Sequence, residues 1–365
     1  MQARRSPTRA ERRAGWGSGV ATRSAPDQAR WRPAPCRLEA TGAWSLRDGC
    51  RRAGIPSPWK KVSARRQLTS PIASQPPPET FALRIGPVCV ALRGQFDPGR
   101  WTLDVGHHGF LSPGTAPQVT LCIGWEPARG RVGRLVFEAG RVASFYRDGG
   151  RWLIRLGEDE HSLVADRVLS LDASGRTGSI TMDPGDRSDP ALRYPLEYPL
   201  EDLLFRHVMA DYAALLVHAC GVSWRDQGYL FVGSSGAGKS TTARLWRAAG
   251  ATILNDDRIV MEAGGDGVLI HPTPWFGEHP EVGGGATPLR TIYLLRQGDA
   301  VSFEPLRPAA AALVLAKSFP PLWDAERMDR TLVTLGRVCQ RVPCGWLTIP
   351  RDMRAVEWVQ AQESR

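Results

Sequence analysis

Residues Gly233-Ser234-Ser235-Gly236-Ala237-Gly238-Lys239-Ser240 have the spacing G-x-x-x-x-G-K-[ST], with Thr241 following. Glycines in such a loop let backbone N–H groups curl around a phosphate chain, and a helix opening behind them points the positive end of its dipole at the same charge. Lys239 is then the group that reaches the β and γ phosphates, and the Ser240 hydroxyl is a ligand for Mg2+. Only four lysines (Lys60, Lys61, Lys239, Lys317) stand against 43 arginines, so a lysine at the one position where the motif needs it argues against a chance glycine-rich turn. ATP and Mg2+ are the cofactors this pattern calls for, and it does not separate ATP from GTP.

Acidic groups come next. Asp256 and Asp257 follow Asn255, and Asp256 lies 17 residues past Lys239. Of two adjacent carboxylates at a strand end, one can hold Mg2+ while the other takes a proton from an attacking hydroxyl. Strand residues alternate sides, so both reach one nucleotide only if the chain bends after Asn255. The competing reading is a surface turn that happens to hold two aspartates.

These residues need elements to position them. GYLFV, ending at Val232, reads as a short buried strand, TTARLWRAAG as a helix stopped by Gly250, and Ala251 to Leu254 as a second strand. Upstream, Leu203, Leu204, Val208, Met209, Tyr212, Leu215 and Leu216 recur at helical spacing, which predicts a helix from about Leu200 to Val217.

From Phe81 to about Asp189 the texture is different, with short apolar runs broken by Gly, Pro and Asp. That pattern predicts antiparallel strands and a β-rich domain over 81–198, ahead of a nucleotide-binding domain over 199–365. RVASFYRDGGRWLIRL reads as a hairpin, with Asp148, Gly149 and Gly150 supplying positive backbone dihedrals. His107 and His108 read as solvated turn residues, and nothing in this half looks catalytic.

The formal charge of +10 resides at one end. Residues 1–80 carry 16 Lys or Arg and 5 Asp or Glu, whereas the remaining 285 residues carry 31 and 32. A near-neutral globular part gives no electrostatic reason to expect nucleic acid as a partner. The basic stretch is rich in Pro, Ser, Ala and Gly and poor in periodic apolar residues, so a disordered tail is expected over 1–80. A basic arm for an acidic partner is the sharper reading of it, and a translation start farther downstream is another.

The seven cysteines are odd in number and scattered, which points to reduced thiols and not to a disulfide framework. Cys339 and Cys344 have no second Cys or His pair to complete a zinc site. With no run of 18 apolar residues and no secretory leader pattern, a cytoplasmic protein without a membrane partner is expected.

His218, then GVSWRDQGYLFVGSSGAGKST, a helix, and a strand into NDDRIVM resemble the catalytic domain of HPr kinase/phosphorylase, and the same close order is similar to phosphoenolpyruvate carboxykinase. The resemblance covers roughly Leu203 to Val359. It implies an α/β (α+β) P-loop kinase domain of that type, with Lys239 and Ser240 as nucleotide and metal groups and Asp256 and Asp257 as metal ligand and general base. It also sets His218 beside the phosphates and makes Glu278, in TPWFGEHPE, a candidate metal or outer carboxylate; His271 and His279 are weaker candidates. Departures are Ser234, where an acid is often found, the lack of a matching Arg- and Gly-rich signature, and an unrelated amino-terminal half.

The function expected from these residues is ATP- and Mg2+-dependent transfer of the γ-phosphoryl group to a hydroxyl, with a Ser of a small protein or peptide as the candidate acceptor. The alternatives are a P-loop ATPase or GTPase switch and a non-catalytic nucleotide-sensing module. A homo-oligomer is left open.

Overall fold

The chain divides into Met1–Ser57, outside the described residues, and the compact unit Pro58–Arg365. The structure, a computed structural model, describes residues 69–71, 80–94, 101–125, 133–139, 143–156, 167–182, 192–265, 267–278 and 283–363. The tail expected over 1–80 therefore lies outside them except at Thr69–Pro71 and Thr80, as do Cys36, Cys50 and His279.

The described elements of the first half are strands, apart from one 3-10 turn at Val105–Phe110. β1 (Thr69–Pro71), β2 (Thr80–Ile85), β3 (Val88–Arg93), β4 (Trp101–Asp104), β5 (Val119–Trp125), β6 (Arg134–Ala139), β7 (Ala143–Asp148), β8 (Arg151–Leu156), β9 (Arg167–Leu171), β10 (Thr177–Met182) and β11 (Leu192–Arg193) form two sheets. One has the order β1-β4-β11 and the other β2-β3-β5-β10-β9-β8-β7-β6. The larger sheet is not purely antiparallel as the sequence suggested, because β5 runs parallel to both β3 and β10. The hairpin β7–β8 forms as read, with alternating burial along both strands. Its turn takes positive φ at Gly149 (51°) and Gly150 (88°), and not at Asp148.

α1 (Leu200–Met209) opens the second half, followed by β12 (Ala214–Trp224), β13 (Gln227–Val232), α2 (Lys239–Ala248), β14 (Thr252–Asn255), β15 (Arg258–Gly264), β16 (Gly267–His271), β17 (Thr287–Gln297), β18 (Ser302–Pro305), α3 (Pro308–Leu315), α4 (Ala325–Arg341), β19 (Cys344–Ile349) and α5 (Arg354–Glu363). The helix expected to reach Val217 stops eight residues earlier, at Met209. Ala213 takes a left-handed φ of 49°, and the next residues start a strand. ALLVHACGV is apolar on both faces because β12 is buried on both, and a doubly buried strand mimics helical spacing over a few residues.

β12 is the spine of this half. Its first part pairs with β15, and its second part pairs with β13 on one edge and β14 on the other. β13 also runs parallel to β17, which runs parallel to β19. The carboxyl ends of β13, β17 and β19 therefore lie on one side, where α/β sheets place their ligands. α2 leaves the end of β13 and packs back through Trp246, which stacks on Tyr229 at 5.7 Å.

The two halves share a core. Phe81, Leu121 and Phe145 of the β-rich half cluster with Leu204, Val208 and Val260 of the second half. Polar contacts add to this: the Trp152 indole donates to Asp324 Oδ2 at 2.9 Å, and Arg327 donates to the Ser174 carbonyl at 2.9 Å. Among the described residues no helix is long and apolar enough to cross a membrane, and the five cysteines they include are free.

Candidate active site

Strand, loop and helix follow in the order the motif needs. β13 ends at Val232, the loop spans Gly233 to Gly238, and α2 begins at Lys239 with Gly238 as its cap residue. Gly236 and Gly238 sit at φ of 83° and 110°, where a side chain is strained, and a Cβ at Gly233 would come within 2.6 Å of the Ala237 Cβ. Ser234, Ser235 and Gly236 are exposed at the tip, while Ala237, Gly238, Ser240 and Thr241 are half-buried. Thr242, one position beyond the motif, donates its hydroxyl to the Gly238 carbonyl at 2.9 Å and ties the loop to the first helical turn.

Lys239 is buried under its own loop. Its ammonium donates to the carbonyls of Gly233 at 2.7 Å and Ser234 at 3.2 Å. Both bonds hold the charge at the base of the cradle.

The bend required after Asn255 is present, and Asn255 makes it. Its Oδ1 accepts the amides of Asp257 (2.7 Å) and Arg258 (2.9 Å), an Asx-type turn that satisfies two N–H groups between β14 and β15. Its Nδ2 donates to the carbonyls of Thr273 (2.9 Å) and Trp275 (3.1 Å), which fastens the turn to the loop after β16.

The two aspartates then part company. Asp256 is buried, and its carboxylate accepts the amides of Gly277 at 2.8 Å and Glu278 at 2.9 Å. Asp257 is more open, at 22% side-chain exposure, and its Oδ1 lies 3.0 Å from Nδ1 of His218, itself 43% exposed. The same Nδ1 lies 2.9 Å from the Asp257 carbonyl. A carbonyl only accepts, so Nδ1 carries the proton. Arg258 reaches Asp257 Oδ2 at 3.5 Å and Asp202 Oδ1 at 2.6 Å.

Sheet register brings the loop and the acids together. Val232 pairs with Ala219, and the Ala219 amide donates to the Asp257 carbonyl at 3.1 Å. The root of the phosphate loop and the aspartate turn are thus two strand spacings apart, about 10 Å. Cys220 lies between them on β12. Burial first and then Asp256 push its thiol up, while Lys239 and Arg247 oppose.

Other predicted residues fall differently. The Glu278 side chain is exposed, and the contact that ties the residue to the site is its backbone amide on Asp256. His271 pairs with Glu262 at 2.8 Å at the end of β16. His107, read as a solvated turn residue, is buried with Nε2 2.8 Å from Glu201, while His108 is exposed as expected.

Sequence reasoning missed Gln297 and Arg351. Gln297 ends β17 and donates to the Gly236 carbonyl at 2.6 Å, and Arg351, just past β19, donates to Gln297 Oε1 at 2.8 Å. Only the parallel order β13-β17-β19 puts them at the loop, and no local pattern carries that order.

Among the described residues no group of three or more His, Cys, Asp or Glu gathers that could hold a metal ion. The Ser240 hydroxyl and the Asp256 carboxylate are oxygen donors, the kind that an ion such as Mg2+ would need if it drew its remaining ligands from phosphate and water.

Over residues 202–340, from α1 to near the end of α4, the chain matches the family described as SynChlorMet cassette protein ScmC. No curated protein matches the chain. The family match replaces the expected membership of the HPr kinase group: the loop, helix and Asp-Asp spacing behind that resemblance lie inside the stretch that matches ScmC instead.

Proposed function

We propose that this chain is a P-loop phosphotransferase that moves the γ-phosphoryl group of a nucleoside triphosphate to a hydroxyl. The observation that carries the reading is the convergence of the Lys239 cradle and the Asn255-Asp256-Asp257 turn across β12. Charge neutralisation and positioning are what phosphoryl transfer needs most from a protein.

The geometry supports a division of roles. Loop amides and Lys239 hold the β and γ phosphates, while Ser240 and Asp256 hold Mg2+, which supplies charge neutralisation when bound. Asp257, the more open carboxylate, accepts the acceptor's proton as the new P–O bond forms and the bond to the β–γ bridging oxygen breaks; the nucleoside diphosphate leaves. His218 keeps the Asp257 carboxylate turned toward the acceptor through Nδ1–H. The openness of both side chains favours an acceptor larger than water, such as a Ser on a peptide or small protein.

Incubating residues 69–365 with γ-labelled ATP or GTP, Mg2+ and hydroxyl-bearing peptides tests the reading. Label on a peptide supports it. Release of free phosphate alone would turn the assignment to a hydrolase, and no Mg-nucleotide uptake in calorimetry would end it.

A further inference from the structure

Glu201, on the first turn of α1, is 1% exposed, yet the proposed reaction gives it nothing to do. Its Oε2 meets Nε2 of His107 at 2.8 Å and Nε1 of Trp275 at 2.7 Å, and its Oε1 accepts the Tyr194 hydroxyl at 3.0 Å. His107 and Tyr194 belong to the β-rich half. Trp275 belongs to the loop that holds Asp256.

Burying a carboxylate is costly, and an apolar residue of the same size is often the more stable choice. What the carboxylate adds is direction. Trp275 is fixed at both ends, its indole N–H on Glu201 and its carbonyl on the Asn255 side chain at 3.1 Å. Two and three residues later, the amides of Gly277 and Glu278 grip both oxygens of Asp256. The β-rich half also touches this loop directly, since a Cβ at Gly106 would come within 2.5 Å of the Pro274 carbonyl.

We propose that Glu201 is a positioning residue, through which His107 and Tyr194 of the β-rich half set the 273–278 loop and hence the orientation of the Asp256 carboxylate. The inference rests on the phosphotransferase reading for its consequence in catalysis. Its structural part, that Glu201 fixes the loop, stands apart from that reading. The β-rich half is then a working part of the active site.

Trp275→Phe removes the indole N–H and keeps a ring in place; Tyr194→Phe removes one hydroxyl at the far side of Glu201 and is the milder variant. Amide exchange by mass spectrometry is read at 277–278, with β13 as an internal reference for global folding. We expect exchange at 277–278 to quicken about tenfold in Trp275→Phe and less in Tyr194→Phe, with β13 unchanged. We also expect kcat to fall about tenfold while KM for the nucleotide stays within about twofold, because the Lys239 loop is untouched. Unchanged exchange at 277–278 in both variants overturns the proposal, whatever the turnover. Faster exchange with unchanged kcat overturns the positioning role. If the unsubstituted chain transfers no phosphoryl group, the functional reading fails, and the exchange result alone decides whether Glu201 sets the loop.

Discussion

Nδ1 of His218 lies 3.0 Å from a carboxylate oxygen of Asp257 and 2.9 Å from that residue's own carbonyl, so one N–H fixes both the side chain and the backbone of the proposed base. Asp257→Asn keeps the shape and loses the proton acceptor; we expect a fall in kcat of about 10²–10⁴-fold with little change in nucleotide affinity. His218→Ala should cost about tenfold, the scale of one lost hydrogen bond to a charged group. His218→Asn, whose amide N–H can take the place of Nδ1–H, should recover part of that loss. Equal rates for the Ala and Asn variants would show that the N–H has no part in turnover.

Lys239 presents a separable test, because its ammonium serves the loop carbonyls of Gly233 and Ser234. In Lys239→Met, Mg-nucleotide uptake measured by calorimetry should fall by at least about 10²-fold, a loss of roughly 3 kcal/mol. Thermal stability should change less, since both bonds are only partly buried and one of the carbonyls left behind belongs to the exposed Ser234. Retained affinity in a folded variant would remove the cradle from the mechanism.

Gly277 probes the grip on Asp256 from the other side. A Cβ there would sit 3.0 Å from both carboxylate oxygens, closer than such contacts normally come. The carboxylate must shift by a few tenths of an ångström to accept Gly277→Ala. A fall in kcat of about tenfold is expected, on the principle that small misplacements in a preorganised site are costly. The exposed position should keep the loss of stability under about 1 kcal/mol. A fully active Gly277→Ala protein would show that the Asp256 orientation does not limit turnover.

What the sequence made legible follows range of interaction. The loop, its strand and helix, the hairpin at Gly149-Gly150 and the need for a bend after Asn255 are all set by residues within a few positions of one another. The end of α1 was misread because β12 is apolar on both faces, and a doubly buried strand has lost the alternation that identifies it. His107 was misread because its environment is made by Glu201 and Tyr194, 94 and 87 positions away in the chain. Gln297 and Arg351 carry no pattern of their own, since their place at the loop depends on which strands run parallel. Family resemblance was the weakest guide: the close order of His218, the phosphate loop and Asp256-Asp257 suggested one group, and the match over 202–340 is to another.

Acid should loosen the junction between the two halves. His207 is fully buried and stacks on Trp323 at 4.9 Å, and neither ring nitrogen has a hydrogen-bond partner among the described residues. Burial above all, with the nearby Arg327 charge next, brings its pKa down to about 3. The unfolded chain, with an ordinary histidine near 6.5, therefore binds a proton that the folded chain refuses, so stability falls as pH drops from about 6.5 toward 3, by roughly 5 kcal/mol in all if no other group intervened. Asp324 acts in the same direction. Burial would raise its carboxyl, but bonds from the Trp152 indole and the Arg327 amide outweigh that and hold it below the usual value. Its contribution, present above the unfolded pKa, is lost as pH falls through the folded one. His207→Phe keeps the stack, removes two unpartnered nitrogens and removes the larger of the two proton linkages. In urea titrations at pH 7.5, 6, 5 and 4, this variant should match or exceed the unsubstituted protein at pH 7.5 and lose distinctly less stability by pH 4. Parallel pH profiles for the two proteins would mean that His207 takes up its proton in the folded state and is not the source of the acid lability.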